Sequence, residues 1–348
     1  MSSQYKACSY GKQLIQPAPD TSVISNGVVE VKLNINAKQQ TSSELESLAF
    51  AALEEILGKK FYLKYDHIMI CLPPGFTDAD VFFAHGYFKF PVSTYNDEQI
   101  TYLSYQMHET GHNFGLSHAG LDTGSKIDLE YGDYSGYMGG SYDRVGFPEM
   151  CFNAPQSWEL GWYTNSHLTV NPFTRTNRWV GNIYGISKYV KSGARKTLVR
   201  IVGGEDKDYF VNFNQDTGMN TWTQLGWNQV LITYIKKNDP LDLYTTNVGQ
   251  LYSGQRKVIK NYSGTGRNLH IKVLKIKNSA RVSIVASPCI DKKKWRDKVF
   301  KGGCREVKSS NVKILERRCN SQARQGLPVW RYCLKTCQKC EELHRIKP

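Results

Sequence analysis

The stretch NDEQITYLSYQMHETGHNFGLSH (residues 96–118) combines the signals of a helix with three closely spaced histidines. Asn96 or Asp97 can cap the start of this helix, and Gly115 can end it in a left-handed conformation. Apolar side chains recur between these ends at positions that suit one buried face: Ile100, Leu103 and Met107. The pattern predicts an amphipathic helix whose last turns carry the histidines.

The histidines of this stretch have the spacing of metal ligands. His108 and His112 share one helical face because they are four residues apart. Glu109 is rotated aside, so it can stay outside the ligand set and still reach a water molecule at the metal. Gly115 has no β-carbon and permits a sharp turn, which would return His118 to the same metal. Three neutral imidazoles leave a fourth position for water, as catalytic zinc sites require.

This arrangement predicts one catalytic zinc ion and the hydrolysis of peptide bonds. Zinc lowers the pKa of bound water towards about 7 and polarises the substrate carbonyl. Glu109 would be the general base, taking the proton of the water and passing it to the leaving amine. Two other interpretations stay open, namely solvated or core histidines and an inactive metal-binding protein. Scattered aspartates could bind calcium, but no calcium-loop spacing is present.

Strand and helix patterns alternate before this stretch. Three segments have the composition of strands: 27–36, 66–75 and 81–90. The segment 41–60 predicts a helix that starts with a capping box formed by Ser43 and Glu46. A strand–helix–strand–strand–helix order is typical of an α/β or α+β domain.

The character of the chain changes after residue 165. Short β-rich runs such as KTLVRIVG and NQVLITYIKK follow one another up to residue 287, separated by Gly, Asn and Asp. No convincing amphipathic helix pattern occurs among them. The region 166–287 is therefore predicted to be an antiparallel β-sandwich.

Basic side chains are concentrated at the C-terminal end. Residues 289–348 contain 17 Lys and Arg against 6 Asp and Glu, a net charge of +11 out of +14 for the whole chain. Such a segment can bind a polyanion, such as acidic polysaccharide, lipid headgroups or nucleic acid, or it can be a solvated basic surface. We expect a cell-wall or matrix polymer and no specific nucleic acid. No run of about 18 apolar residues is present, so no membrane span is predicted.

Nine cysteines are present, and six of them lie between Cys289 and Cys340. So many cysteines in a short segment predict a disulfide-stapled module in an oxidising compartment. A zinc knuckle is the alternative for the closing CLKTCQKC (333–340), but no second CxxC pair or histidine pair accompanies it. Asn261 begins an N-glycosylation sequon, which also fits secretion. Because the first residues lack an apolar signal-peptide core, we expect a secreted protein whose signal peptide and propeptide precede residue 1.

Three further cysteines lie outside this segment, so one pair at most can form among them: Cys8, Cys71 and Cys151. Cys71 precedes a turn and Cys151 follows the glycine-rich region around residue 138, which favours a structural bridge that involves Cys71. Cys8 could instead bind the zinc as an inhibitory thiolate.

The histidine stretch resembles the zinc site of the metzincin peptidases, with its full HExxHxxGxxH pattern. That family also has a methionine turn beneath the metal, and GDYSGYMGGSY (132–142) is similar to it. The resemblance implies that Met138 is a hydrophobic base under the histidines and not a ligand. Some metzincins stabilise the oxyanion with a tyrosine two residues after this methionine, a position that is Gly140 here. The nearby tyrosines are therefore expected to be loop aromatics: Tyr134, Tyr137 and Tyr142.

Within the metzincins the chain resembles the gametolysin family. The motifs that carry this resemblance surround and include the histidines: DHIMICLPPG (66–75), HETGHNFGLSH (108–118), EYGDYSGYMGG (130–140) and CFNAPQSWELGWY (151–163). The resemblance covers about residues 5–170. It implies an α+β catalytic domain of the metzincin type and a secreted enzyme that degrades glycoproteins of the extracellular matrix or cell wall.

The six-cysteine segment resembles the ShKT toxin-like module. This resemblance implies the pairs Cys289–Cys340, Cys304–Cys333 and Cys319–Cys337, one of fifteen pairings that six cysteines allow. The sequence departs from the module at Gln338, where Gly is common, and in its long loops between the first cysteines. The resemblance therefore implies the disulfides of the module and no particular binding role.

Four regions are predicted: a metzincin-like zinc protease domain over 1–165, a β-sandwich over 166–287, an ShKT-like disulfide module over 288–341 and a basic tail over 342–348. The predicted function is zinc-dependent cleavage of extracellular or cell-wall protein. One alternative is a binding protein that acts through the β-sandwich and the ShKT-like module while the metal centre is a relic. A second alternative is a channel-blocking toxin, which rests on the module alone.

Overall fold

The computed structural model describes residues 1–124, 129–140, 148–173, 178–237, 244–262 and 267–287, together with 301, 304–308, 312–322, 329 and 333. The helices in these ranges are α1 Ser2–Cys8, α2 Ser42–Leu57, α3 Leu103–Asn113, α4 Ala154–Glu159, α5 Cys304–Val307 and α6 Val312–Asn320. The strands are β1 Ile68–Leu72, β2 Ala84–Gly86, β3 Val92–Asn96, β4 Ala119–Leu121, β5 His167–Val170, β6 Arg178–Ile183, β7 Leu198–Ile201, β8 Lys207–Asn214, β9 Gln229–Lys236, β10 Thr245–Leu251, β11 Arg256–Ile259, β12 Leu269–Ile276 and β13 Ala280–Ala286. Helices and several sheets are thus mixed, which is compatible with the predicted α+β class.

A three-stranded sheet lies beside helix α3. Its order is β1-β3-β2, with β1 parallel to β3 and β2 antiparallel to β3. Strand β2 forms the edge nearest to α3, and a β-carbon on its residue Gly86 would overlap the backbone of Glu109. This close approach brings the edge of the sheet against the helix that carries the metal-ligand candidates.

Helix α2 packs on the same sheet through a core that includes Leu45, Ile70 and Val92. Its capping box is formed by Thr41 and Glu44, so the predicted box of Ser43 and Glu46 is wrong. The Glu46 carboxylate instead accepts a hydrogen bond from the hydroxyl of Tyr87. The sequence contains two overlapping capping-box patterns, Thr41 with Glu44 and Ser43 with Glu46. The hydrogen bond from Tyr87 engages Glu46, and Thr41 and Glu44 form the box.

The segment 27–36 is not a strand, contrary to the prediction from its alternating residues. An isolated bridge joins Ser25 to Val28, and no ladder continues from it. Val31 and Leu33 instead line an apolar cavity of about 1030 Å³ beside β1. An alternating segment forms a strand only where a neighbouring strand supplies hydrogen bonds. Within the described residues, no strand lies beside 27–36.

Two larger sheets follow. The six-stranded sheet has the order β4-β10-β9-β8-β7-β5, and the four-stranded sheet has the order β11-β12-β13-β6. Both contribute to one hydrophobic core, with Val211 and Ile232 from the first and Ile271 and Ile284 from the second. The outermost pairings of the six-stranded sheet, β4 with β10 and β5 with β7, are parallel. The arrangement therefore differs from the predicted antiparallel one at both edges.

Strand β4 links the two parts of the chain. It directly follows His118 in the sequence, yet it forms the edge of a sheet whose other strands come from residues 167–251. The predicted boundary near residue 165 thus runs between strands that are neighbours in one sheet. This connection determines how the third histidine is held.

The N-terminal cysteines pair differently from the prediction. Cys8 and Cys151 form a disulfide with a Cα–Cα distance of 5.7 Å, whereas Cys71 is a free, exposed thiol. The favoured bridge through Cys71 is wrong, because that side chain lies on the outer face of β1. The alternative of Cys8 as a thiolate on the metal is also wrong, because helix α1 buries Cys8 in the core.

The C-terminal segment is described in part. Cys304 and Cys333 form a disulfide, which is one of the three pairs implied by the ShKT-like resemblance. Cys319 is disulfide-bonded to a partner outside the described residues. Cys289, Cys337 and Cys340 lie outside the described residues, as does the tail 342–348. No helix in the described part of the chain is long and apolar enough to cross a membrane.

Candidate metal centre

Helix α3 carries two of the three histidines. It buries Met107 against the core, and this orientation turns His108 and His112 towards the opposite side. The centroids of the two imidazole rings are 4.9 Å apart. The predicted i, i+4 pair is therefore present on one face of the helix.

The third histidine arrives through the turn at Gly115. This residue has a φ of +83°, a conformation that glycine adopts without strain. The amide of Gly115 donates to the carbonyl of His112 at 2.8 Å, and that of Leu116 donates to the carbonyl of Gly111 at 3.0 Å. These bonds end the helix and turn the chain, so that His118 comes back to the face of α3.

The three imidazoles converge on one point. The Nε2 atoms of His112 and His118 are 3.2 Å apart, and one ligand nitrogen from each histidine lies within 4.8 Å of the other two. Two ligands at about 2.0–2.1 Å from a tetrahedral zinc ion are separated by about 3.3 Å, so the spacing suits zinc. Within the described ranges, no other group of three His, Cys, Asp or Glu side chains has this geometry.

Each imidazole is held through its other ring nitrogen. The Nδ1 atoms of His108 and His112 lie 2.7 Å and 2.8 Å from the carbonyls of Tyr137 and Leu116. The Nδ1 of His118 lies 2.7 Å from Oε1 of Glu130. Because a carbonyl or carboxylate oxygen only accepts, Nδ1 carries the proton and donates it. The lone pair of each Nε2 then remains for a metal.

Burial keeps the helical histidines neutral. Desolvation, followed by the proximity of the other histidines, lowers the pKa of His108 to about 3 and that of His112 to about 4. Neutral imidazole is the form that binds metal ions. The two ligands are therefore ready for a cation at neutral pH without first losing a proton.

Glu109 is a buried carboxyl group beside these imidazoles, with 6% of its surface exposed. Burial raises the pKa of Glu109 to about 8, against the opposing effect of a hydrogen bond from the backbone of Gly86. Among the described residues no ion pair involves Glu109. A buried carboxylate without a cationic partner is costly, so this site favours a bound cation.

Met138 is fully buried, and its sulfur packs against Gly111 of α3, the residue before His112. Its carbonyl accepts a hydrogen bond of 2.8 Å from the amide of Ala119, the residue after His118. The turn that carries Met138 therefore supports both the helix and the third histidine. The role of Met138 as a hydrophobic base stays a prediction.

Comparison with known proteins agrees with this geometry. The family model described as gametolysin peptidase M11 matches residues 1–186, more than half of the chain. The chain belongs to the gametolysin peptidase family. The matched segment contains all three histidines, Glu109 and Met138.

One curated relative is the autolysin of Chlamydomonas reinhardtii. It is 32% identical to this chain over 106 residues, which amount to 30% of the chain and 16% of the autolysin. The match thus spans a small part of that relative. No solved structure matches the chain.

Three residues shape this gametolysin-family site without having been predicted from the sequence: Gly86, Gly111 and Glu130. Gly111 could have been noticed in the sequence, because glycine inside a helix costs about 0.5–1 kcal/mol relative to alanine and its presence there suggests close packing. The sequence around Glu130 does not indicate its contact with His118, since the two residues are twelve positions apart. Gly86 likewise meets Glu109 only through the fold.

The tyrosines near the site differ in their surroundings. Tyr131 packs against His118 with ring centroids 4.1 Å apart and the ring planes tilted by 40°. Tyr131 and Tyr134 are both exposed. Tyr137 is buried and donates its hydroxyl to the carbonyl of Pro148 at 2.6 Å. Tyr142 lies outside the described residues. Tyr137 therefore has a structural role, and its backbone carbonyl orients His108.

Asn261 occupies an exposed turn between β11 and β12, with a φ of 44°. Its amide donates to the side chain of Asn268 at 3.0 Å. The serine that completes the sequon lies outside the described residues. The asparagine itself is placed where a glycan would extend into solvent.

Proposed function

We propose that this gametolysin-family chain is a secreted, zinc-dependent endopeptidase of the metzincin type. The observation that carries the proposal is the convergence of three Nε2 atoms beside the buried carboxyl group of Glu109. His108, His112 and His118 would hold the ion. Their nitrogen donors, neutral state and spacing all suit zinc.

Zinc bound there would supply Lewis acidity, which makes water a better nucleophile and polarises a peptide carbonyl. Glu109 accepts the proton of the attacking water at its carboxylate and delivers it to the leaving amine. A nearby cation lowers the pKa of a carboxyl group, so Glu109 in the loaded site is ionised and able to act as a base. The backbone of Gly86 holds this carboxylate in place.

The edge strand β2 supports a peptide as the substrate. It pairs with β3 on one side and forms the edge of the sheet on the other, directly beside Glu109. The free edge of a strand binds an extended peptide by main-chain hydrogen bonds. A peptide bound in this way would pass the three histidines, which suits cleavage within a chain.

The substrate class is extracellular protein, in particular glycoprotein of a matrix or cell wall. The family and the disulfides Cys8–Cys151 and Cys304–Cys333 support an oxidising, extracellular location. Residues 289–348 would add a basic, ShKT-like surface for a polyanionic matrix or cell-wall polymer. The two large sheets would form a β-sandwich, and Asn261 would be glycosylated.

The proposal is tested by Glu109→Gln in the full chain, with Glu55→Gln on the exposed side of α2 as the matched control. Loss of the base should lower the rate of casein cleavage by a factor on the order of 10²–10⁴ while zinc content stays at one ion per chain. The control should retain both properties. Equal cleavage by the Glu109 variant and the wild type would refute this mechanism. A wild-type chain that binds zinc and cleaves nothing would favour the alternative of a metal-containing binding protein.

A further inference from the structure

The backbone of the third histidine is held by a strand from far along the chain. The amide of Thr245, at the start of β10, donates to the carbonyl of His118 at 3.2 Å. The parallel pairing then continues from Ala119 opposite Thr245 to Leu121 opposite Asn247. Strand β10 lies beyond residue 186, where the match to the gametolysin model ends.

A buried carboxylate joins the same strand to the methionine turn. Asp133 is fully buried and accepts hydrogen bonds from the side chains of Ser135, Asn153 and Asn247, at 2.6, 3.2 and 3.1 Å. The amide group of Asn153 also donates to the hydroxyl of Thr245 at 2.7 Å. Asn247 and Thr245 are themselves fully buried. The network is therefore shielded from bulk solvent.

Asp133 also links this network to the backbone next to the metal centre. Its backbone amide donates to the carbonyl of Ala119 at 3.0 Å, and the amide of Ala119 donates to Met138. A β-carbon on Gly139, next to Met138, would overlap the carbonyl of Asp133. Ala119 is thus held by hydrogen bonds to Met138 and Asp133. Strand β10 holds the carbonyl of His118 itself.

The network joins a buried carboxyl group to neutral donors. Burial raises the pKa of Asp133, and the hydrogen bonds from Ser135, Asn247 and Asn153 oppose this shift. Every described ion pair lies elsewhere. Removal of the Asn247 amide takes one donor from Oδ1 of Asp133, which keeps those from the hydroxyl and the backbone amide of Ser135. The local backbone has to adjust to the lost bond, because the carboxyl group is buried.

We propose that Asn247 and Thr245 are positioning residues of the metal centre, and that strand β10 is a required part of it. The proposal rests on the proposed zinc site and goes beyond it, because these residues lie outside the segment that the family model matches. They act on zinc through the backbone of His118 and through Asp133. The peptidase domain would therefore not bind zinc normally if it were cut off near residue 186.

The test compares Asn247→Leu with Asn212→Leu in the full chain. Asn212 is a buried asparagine of β8 in the same sheet, and its side-chain oxygen has no hydrogen-bond partner among the described residues. Zinc affinity is measured by competition with a chromophoric chelator, and ligand geometry by the visible spectrum of the cobalt-substituted chain. Loss of a group bonded directly to a ligand weakens metal binding by about 10–100-fold. Asn247 acts through Asp133, so Asn247→Leu is expected to weaken zinc binding by about tenfold, at the lower end of this range. The Asn212 variant should bind zinc as the wild type does.

The proposal would be overturned if the Asn247→Leu variant had a lower Tm but bound zinc as tightly as the wild type, with an unchanged cobalt spectrum. Asn247 would then only stabilise the fold. A wild-type chain that binds no zinc would overturn both this inference and the proposed function. A wild type that binds zinc without cleaving protein would overturn the proposed function alone.

A measurement on the wild type covers the case in which the variant does not fold. Hydrogen exchange of the Thr245 amide is followed with and without added zinc, with the amides of β12 in the other sheet as the reference. If β10 and the site are coupled, zinc should slow exchange at Thr245 by a factor of about ten or more relative to β12. Equal slowing in both strands, or no slowing at Thr245, would contradict the coupling.

Discussion

The sulfur of Met138 lies where a β-carbon on Gly111 would have to be. Gly111 immediately precedes His112, so the methionine turn can approach the helix only because this position has no side chain. Gly111→Ala should lower the free energy of unfolding by about 1–3 kcal/mol, although alanine normally stabilises a helix. Chemical denaturation measures this effect. The same change in a Met138→Ala background should cost less, because the overlapping atoms are gone, and equal costs in both backgrounds would refute the contact.

Glu130 should control how tightly His118 binds zinc. Its carboxylate oxygen lies 2.7 Å from Nδ1 of His118 and orients the ring. Glu130→Ala is expected to weaken zinc binding by about 10–100-fold in a chelator competition. Glu130→Gln keeps an oxygen acceptor at the same place and should lose less. If the two variants bind zinc equally well, this contact does not orient the ligand.

The disulfide between Cys8 and Cys151 should stabilise the chain substantially. It closes a loop of 143 residues between helix α1 and the segment before α4. Replacement of both cysteines by serine should lower the free energy of unfolding by about 2–5 kcal/mol. Cys71→Ser is the matched control, since that thiol is free and exposed, and it should change stability by less than about 0.5 kcal/mol. A similar loss in the control would point to an effect of cysteine replacement in general.

His167 should make stability fall in mild acid. Its ring stacks on Trp158 at 3.9 Å, its Nε2 donates to the carbonyl of Trp162 at 2.7 Å, and burial lowers its pKa to about 4. Between about pH 6.5 and pH 4 the unfolded chain binds a proton at this position that the folded chain excludes. Its contribution to stability is therefore complete above about pH 6.5 and declines as the pH falls towards 4.

His167→Gln keeps a donor at this position and removes the titration. Denaturation midpoints at a series of pH values should consequently decline less steeply in this variant than in the wild type. An unchanged slope in the His167 variant would mean that the acid sensitivity arises at other groups.

Local patterns predicted the histidine motif and the last turns of α3 because their causes are local. The predicted start at Asn96 or Asp97 is wrong, because a 3-10 helix over Asp97–Thr101 comes first and α3 begins at Leu103. The spacing of His108 and His112 puts both on one helical face, and Gly115 at positive φ turns the chain towards His118. The same reasoning failed at the start of α2, where Thr41 and Glu44 form the capping box. Two equivalent patterns overlap there, and only the bond between Glu46 and Tyr87 distinguishes them.

Non-local contacts were beyond such patterns. Nothing around Cys8 indicates Cys151 as its partner, because helix α1 and the segment after the methionine turn meet only in the folded core. Residues 27–36 alternate like a strand but have no neighbouring strand among the described residues. In both cases the local sequence does not indicate which distant cysteine or strand would be the partner.

The sequence by itself determined which groups make up the candidate metal site: three imidazoles, one carboxyl group and the glycine that brings the third imidazole back. The spacing of a helix and the freedom of glycine are properties of a few adjacent residues, so they can be derived from a short stretch. Only the tertiary structure decided which groups hold those imidazoles in place, namely Glu130, Met138 against Gly111, and Thr245 of β10. Those contacts join residues up to 127 positions apart, from His118 to Thr245, and buried hydrogen bonds over such distances form only when the sheets pack together.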